Sequence, residues 1–193
     1  MDVSSHQPSD LSALIAAHQI EHVIVKLYQT REVIPQRLIA QDWSRMQIAS
    51  AQANKCTVGG YVWLYKAWPG ALQARDAILL AQKCNVILPH LDIDFEPYTD
   101  GTMPTVDQLR QAIGQCRYLG IAPRIYVAKW VTDQYGLDLS EFAADGVPLW
   151  AAQYDGIADP DVFTPFGGYT RCEVKQYQTD PVDLDIMRRE VTV

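Results

Sequence analysis

The chain has 193 residues, a formal net charge of −7 and a pI near 5.0, enough length for one domain with a sizeable core. The acidic balance argues against a nucleic-acid partner, which a basic patch would mark, and no apolar run is long enough to span a bilayer. Hydrophobic residues at 48% and charged residues at 20% are ordinary for a soluble globular protein.

The chain opens Met-Asp-Val-Ser-Ser-His, with no basic region and no apolar stretch. Synthesis in the cytoplasm without a signal peptide is therefore expected. Cys56, Cys84, Cys116 and Cys172 form no Cys-x-x-Cys pair, and no His stands at a zinc-site spacing. They read as buried free thiols. No Walker or Rossmann glycine motif and no Gly-x-Ser-x-Gly is present. The expectation is a single domain over residues 1–193, acting as a monomer without cofactor or metal.

In chain order, Ser9 or Asp10 can cap a helix to about Gln19, with Leu11, Leu14 and Ile15 on one face. His22–Leu27 is a strand. Asp42 can start a helix to about Asn54. Val58–Tyr65 is an aromatic strand, Gly70–Lys83 an alanine-rich helix and Val86–Phe95 a strand. Thr105 and Gln108 make a capping box for a helix to about Tyr118, and Gly120 stands where a C-terminal glycine is expected. Ala122–Ala128 and Pro148–Tyr154 are strands, Asp155–Tyr169 a loop or short hairpin, and Arg171–Gln178 a last strand. Strands alternating with helices argue for parallel βα units. The expected fold is α/β: a compact, irregular (β/α) TIM-like barrel with some helices missing in the C-terminal part.

The Val86–Phe95 strand carries the most informative pattern. Asp92, Asp94 and Glu96 stand at i, i+2 and i+4, so all three point one way. Leu91, Ile93 and Phe95 point the other way, into an apolar layer. Three neighbouring acids are costly to bury and repel one another. A site that needs one protonated and one ionised carboxyl gives a reason to accept that cost. In a barrel the chemistry sits at the C-terminal ends of the strands, where these acids fall.

Several segments, in order, resemble glycoside hydrolase family 25, the lysozymes (N-acetylmuramidases) of phages, bacteria and some fungi. Asp2-Val-Ser-Ser-His-Gln resembles the family's opening Asp-[Val/Ile]-Ser. Val25-Lys26-Leu-Tyr-Gln29-Thr is similar to its Ile-Lys-Ala-Thr-x-Gly, Gly60-Tyr61-Val-Trp to its Gly-x-Tyr-His-Phe, and Asp94-Phe95-Glu96 to its Asp-x-Glu pair. Ile125-Tyr126, Leu149-Trp150-Ala-Ala-Gln-Tyr154 and Lys175-Gln176-Tyr177 follow its later strands, and Val182-Asp183-Leu-Asp185 resembles its closing Val-Asp-Leu-Asn. The chain departs from the pattern in four ways. Only Met1 precedes Asp2, so the first strand must be very short. Val62 stands where the family has His, and Thr30 where it has Gly. Lys175 stands where Trp usually precedes Gln176. The run from Leu91 to Pro97 also resembles the Asp-x-Asp-x-Glu signature of family 18 chitinases, though without the preceding Asp-Gly.

The resemblance implies hydrolysis of the β-1,4 bond between N-acetylmuramic acid and N-acetylglucosamine in peptidoglycan, at the bacterial cell wall. Glu96 is the candidate general acid, since neighbouring anions raise its pKa; the bland reading is a surface glutamate at a strand end. Asp94 would orient the substrate's 2-acetamido group, which attacks the anomeric carbon in substrate-assisted enzymes; otherwise it is a structural acceptor. Asp92 either tunes Asp94 or binds backbone amides or an Arg. Asp2 and Asp183 are implied as cleft carboxylates, against readings of Asp2 as a helix-preceding cap or frayed terminus and of Asp183 as a turn residue after Pro181. Asp185 reads as structural.

Tyr61, Tyr126 and Trp150 are candidates to bind sugar, drawn from a pool that includes Trp63, Tyr65, Tyr98, Trp130 and Tyr154; most strand aromatics are core. Gln176 is equally a substrate ligand or a buried structural amide. Lys26 either snorkels to the rim or pairs with an acid such as Asp2. The rivals are a non-catalytic glycan-binding or structural protein on the same barrel and a family 18-like hydrolase of chitin-type chains.

Overall fold

The computed structural model describes residues 1–28, 42–98, 100–180 and 182–188. Gln29, Thr30 and Pro181, which the sequence reading used, lie outside them. The chain divides into two compact units, Met1–Pro123 and Arg124–Val193.

In the first unit, strands β1 (Asp2–Val3), β2 (His22–Tyr28), β3 (Thr57–Trp63) and β4 (His90–Asp94) pair in that order, all parallel. Helices α1 (Ser12–His18), α2 (Asp42–Ala53) and α3 (Gly70–Lys83) connect them, and α4 (Val106–Tyr118) follows β4. The register puts Val3, Val25, Gly60 and Leu91 in one row, and Val62 beside Ile93 in another. These side chains are almost wholly buried, which is how a parallel sheet covered by crossover helices is built. α3 and α4 approach so closely at Gly70 that a Cβ there would lie 1.9 Å from the Gln108 carbonyl oxygen.

Several local signals match the structure closely. The Thr105 side chain accepts from the Gln108 backbone N–H while the Gln108 side chain accepts from the Thr105 N–H, as a capping box requires. Gly120, with φ +72°, ends α4 in the left-handed region. Other expectations are corrected. The strand expected over Val86–Phe95 covers only His90–Asp94. Asn85 turns the chain at φ +56° and Ile87 is 92% exposed. Glu96 therefore stands just past the strand rather than on it. Asp10 does not cap α1, whose N-cap is Leu11; it accepts instead from the Ser12 N–H and hydroxyl.

In the second unit, β5 (Ala122–Ala128), β6 (Leu149–Ala152) and β7 (Val174–Gln178) pair parallel, and β8 (Leu184–Met187) pairs antiparallel to β7. Two short helices, α5 (Lys129–Tyr135) and α6 (Ser140–Ala144), precede β6, and among the described residues no helix links β6 to β7 or β7 to β8. The α5, α6 and β8 elements go beyond the sequence expectation. The α/β class, and helices thinning toward the C-terminus, are as expected. No described helix is long and apolar enough to cross a membrane. All four cysteines are free thiols, three of them buried and Cys84 partly so.

Candidate active site

Alternation along β1–β4 sends a second set of side chains to the opposite face of the sheet. Asp2 is in register with Ile24, Lys26 with Tyr61 and Tyr61 with Asp92, and Trp63 with Asp94. Asp2, Lys26, Tyr61, Trp63, Asp92 and Asp94 thus share one face. All but Trp63 are buried. Asp2 belongs to a paired strand, which overturns the frayed-terminus reading.

Asp94 ends β4 and is 7% exposed. Its Oδ1 is buried with no hydrogen-bond partner among the described residues. Burial pushes its pKa well above the ordinary carboxylate value, and the Glu96 charge pushes the same way; Lys26 pulls it back. Lys26 does not snorkel to the rim. It is 6% exposed, with Nζ 4.7 Å from the Trp63 ring centroid and 5.4 Å from that of Tyr61, within cation–π range of both.

Glu96, half-buried, follows directly. Its carbonyl oxygen accepts from Trp63 Nε1 at 3.3 Å, which ties the backbone just past β4 to the end of β3. Tyr98 packs on both neighbouring rings, at 5.1 Å from Trp63 and 4.7 Å from Tyr65 between centroids. The site backbone is therefore wedged by aromatics. Asp92 lies deeper, near the Cys116 thiol, whose pKa burial and the Asp92 charge raise to about 12.

The second unit collects its polar groups differently. Gln176 Oε1 accepts from Tyr126 OH at 2.8 Å and Tyr154 OH at 3.0 Å. Tyr126 meets Trp150 edge-on at 4.8 Å between centroids. Trp150 Nε1 donates to Asp185 Oδ1 at 3.0 Å. Tyr126, Trp150 and Gln176 are thus brought together, all three buried, while Tyr154 is 51% exposed. Asp183 precedes β8 and is half-buried.

Asp185, read from the sequence as structural, has a polar partner in Trp150. It is half-buried, its pKa is raised to about 6 by desolvation and by the Asp183 charge, and the Trp150 hydrogen bond opposes that rise. The alternating Asp183 and Asp185 were legible, but the indole that meets Asp185 comes from 35 residues away.

Among the described residues no three His, Cys, Asp or Glu side chains are grouped so as to hold a metal ion. What remains is a buried carboxylate with an unused oxygen, next to a second carboxylate. The model of the glycosyl hydrolases family 25 matches residues 1–184. The chain belongs to this family.

The solved structures agree on the family 25 fold. The modular Cpl-1 endolysin of phage Cp-1, in complex with a peptidoglycan analogue, superposes with a TM-score of 0.68 at 20% identity, over 96% of this chain and 52% of that one. The autolysin LytC of Streptococcus pneumoniae, with a synthetic peptidoglycan ligand, gives 0.70 at 17% identity over 95% and 43%. The spore cortex lytic enzyme SleM of Clostridium perfringens gives 0.75 at 16% over 98% and 67%. The chain spans about half the length of the Cpl-1 chain. No curated protein sequence matches it.

Proposed function

We propose that this family 25 chain is a peptidoglycan hydrolase that cleaves the β-1,4 bond between N-acetylmuramic acid and N-acetylglucosamine at the bacterial cell wall, as one catalytic domain. The observation that carries the reading is the buried, unpartnered Asp94 Oδ1 beside Glu96. An orphan carboxylate oxygen costs stability, and an amide N–H from a substrate would satisfy it. The 2-acetamido group of an N-acetylated sugar supplies one. Family membership and the peptidoglycan ligands named for Cpl-1 and LytC point to the same substrate.

The chemistry follows from two carboxyls that repel each other's ionisation, so that one proton is held between them. With substrate bound, Asp94 as carboxylate takes the acetamido N–H, and the proton resides on Glu96. Glu96 then protonates the leaving glycosidic oxygen as the acetamido oxygen closes on the anomeric carbon. Water opens the resulting ring, losing its proton to Glu96, and the anomeric configuration is retained. Lys26, near Asp94, favours the ionised form that orients the amide. Asp2 and Asp183 would offer further carboxylates to the substrate, and Tyr61, Tyr126, Trp150 and Gln176 would bind sugar. The reaction as drawn uses no metal or cofactor.

The test is release of reducing ends from purified peptidoglycan by wild type and Glu96→Gln, with products identified by mass. New muramic acid reducing ends, lost in the variant, support the proposal. New N-acetylglucosamine ends would make the protein a glucosaminidase. No release from several peptidoglycans or from chitin, with glycan binding retained, would leave a recognition protein instead.

A further inference from the structure

Lys175 is a fully buried charge with no part in the proposed chemistry. It lies on β7 with its side chain 0% exposed. Alternation places it on the face opposite Gln176, in register with Ala151. Its Nζ donates to Asp155 Oδ2 and to the Val162 carbonyl, both at 2.8 Å. Burial works to raise the Asp155 pKa, but hydrogen bonds from Lys175, the Ile157 N–H and Gln153 bring it down to about 2. Asp155 is therefore ionised at neutral pH.

Only the lysine end of this ion pair is buried, Asp155 being exposed, and such a pair gives folding little that an apolar residue in place of the lysine would not. What it gives is position. Lys175 directly precedes Gln176, and Asp155 directly follows Tyr154. The two neighbours meet on the other side, where Tyr154 OH donates to Gln176 Oε1 at 3.0 Å.

The backbone around Tyr154 is fixed at the same place. The Gln153 N–H donates to the Gln176 carbonyl and the Gly156 N–H to the Tyr177 carbonyl, both at 3.0 Å. Gln153 Nε2 also donates to Asp155 Oδ2 at 2.6 Å. So Tyr154 is bracketed by backbone bonds, held at its hydroxyl by Gln176, and clamped next door by the ion pair. Tyr154 nevertheless stays half-exposed, the state of an aromatic platform ready to stack on a pyranose.

We infer that Lys175 and Asp155 are positioning residues: their ion pair holds the Tyr154 ring and the Gln176 amide in register, so that Tyr154 serves as a sugar-stacking platform for the glycan. The inference rests on the glycan-hydrolase reading above and adds Tyr154, Lys175 and Asp155 to it. It also accounts for Lys175 standing where the family motif has Trp. The lysine replaces the packing of a large ring by a directed tie to the 155–162 segment.

The experiment measures dissociation constants for soluble peptidoglycan fragments and N-acetylglucosamine oligomers in the non-hydrolysing Glu96→Gln background. Lys175→Met, Lys175→Arg and the milder Asp155→Asn are compared, each with and without Tyr154→Ala. Thermal melts and the Gln176 side-chain amide resonance are recorded alongside.

The expected result is a roughly tenfold rise in Kd for Lys175→Met and Asp155→Asn. Lys175→Arg should partly restore binding, the Gln176 amide should shift, and neither substitution should add to Tyr154→Ala. Variants that melt earlier but bind like the parent would overturn the inference, as would losses that add fully to Tyr154→Ala. If the parent itself neither binds glycan nor, with Glu96 restored, hydrolyses it, the functional reading fails. An unshifted Gln176 amide in Asp155→Asn then decides separately against the clamp.

Discussion

At the end of β4, Asp94 buries a carboxylate oxygen that no hydrogen-bond donor among the described residues reaches, with Lys26 set over aromatic rings nearby. Along β7, Gln176 takes two tyrosine hydroxyls on one oxygen, and Lys175 takes a carboxylate and a carbonyl. Both regions bury polar side chains on β-strands. One leaves a group wanting, and the other ties its groups down. The contrast separates two kinds of buried polarity. A satisfied network fixes geometry, whereas an unsatisfied carboxylate is tolerated where a ligand will complete it. The contrast also guides mutation: changes at β4 should cost chemistry, and changes at β7 should cost binding or stability.

The sharpest way to break this comparison is Glu96→Gln. On the account given, kcat falls by roughly 10²–10⁴-fold, while stability moves by less than about 1 kcal/mol because the residue is half-buried past the strand end. Unfolding melts beside turnover at saturating substrate check both halves. A variant that keeps its rate removes the acid from Glu96.

Gly70→Ala is the converse case, with cost in packing alone. Its Cβ would meet the Gln108 carbonyl at 1.9 Å, so α3 and α4 must separate, at about 2–3 kcal/mol. Activity per folded molecule should be unchanged when corrected by the denaturation curve. Lys26→Met should act more mildly and on the pH axis. Lys26 holds the Asp94 pKa down. Without it, the acid limb of the rate profile moves to higher pH, with roughly a tenfold loss of kcat/KM on the acidic side.

The smallest effect is expected from Asp185→Asn. The folded pKa of Asp185, about 6, lies above its ordinary 3.8. Its contribution to stability is thus fully present below the ordinary value and is lost as pH rises through the folded one. Melting temperatures across this window should fall with rising pH in the wild type and flatten in the variant, by roughly 1 kcal/mol. An unchanged slope would place the titration elsewhere.

How much of this was legible in the sequence depended on whether the causes were local. The capping box of Thr105 and Gln108, the Gly120 stop and the helix from Gly70 to Lys83 are written within a few residues of where they act. So was the Asp94–Glu96 spacing. Val86, Ile87 and Leu88 misled, because an apolar run reads as a strand, yet Asn85 and Pro89 break it and Ile87 faces solvent. The α5 sequence Lys-Trp-Val-Thr-Asp-Gln-Tyr has weak helix propensity and owes its helix to context. β8 exists through its pairing with β7, which no local pattern announces. The roles of Lys175 and Asp185 come from partners 20 and 35 residues away, and spacing alone does not reveal them.

The central claim is that Asp94 is kept as a buried carboxylate for chemistry, against the interest of folding. The direct measurement is the melting temperature and turnover of Asp94→Asn side by side near neutral pH. A raised folded pKa means that the ionised form opposes folding there, so the neutral isostere should melt higher, by about 1 kcal/mol of added stability, while turnover is lost. A variant that melts lower and still cleaves glycan would show Asp94 to be a structural acceptor and contradict the account.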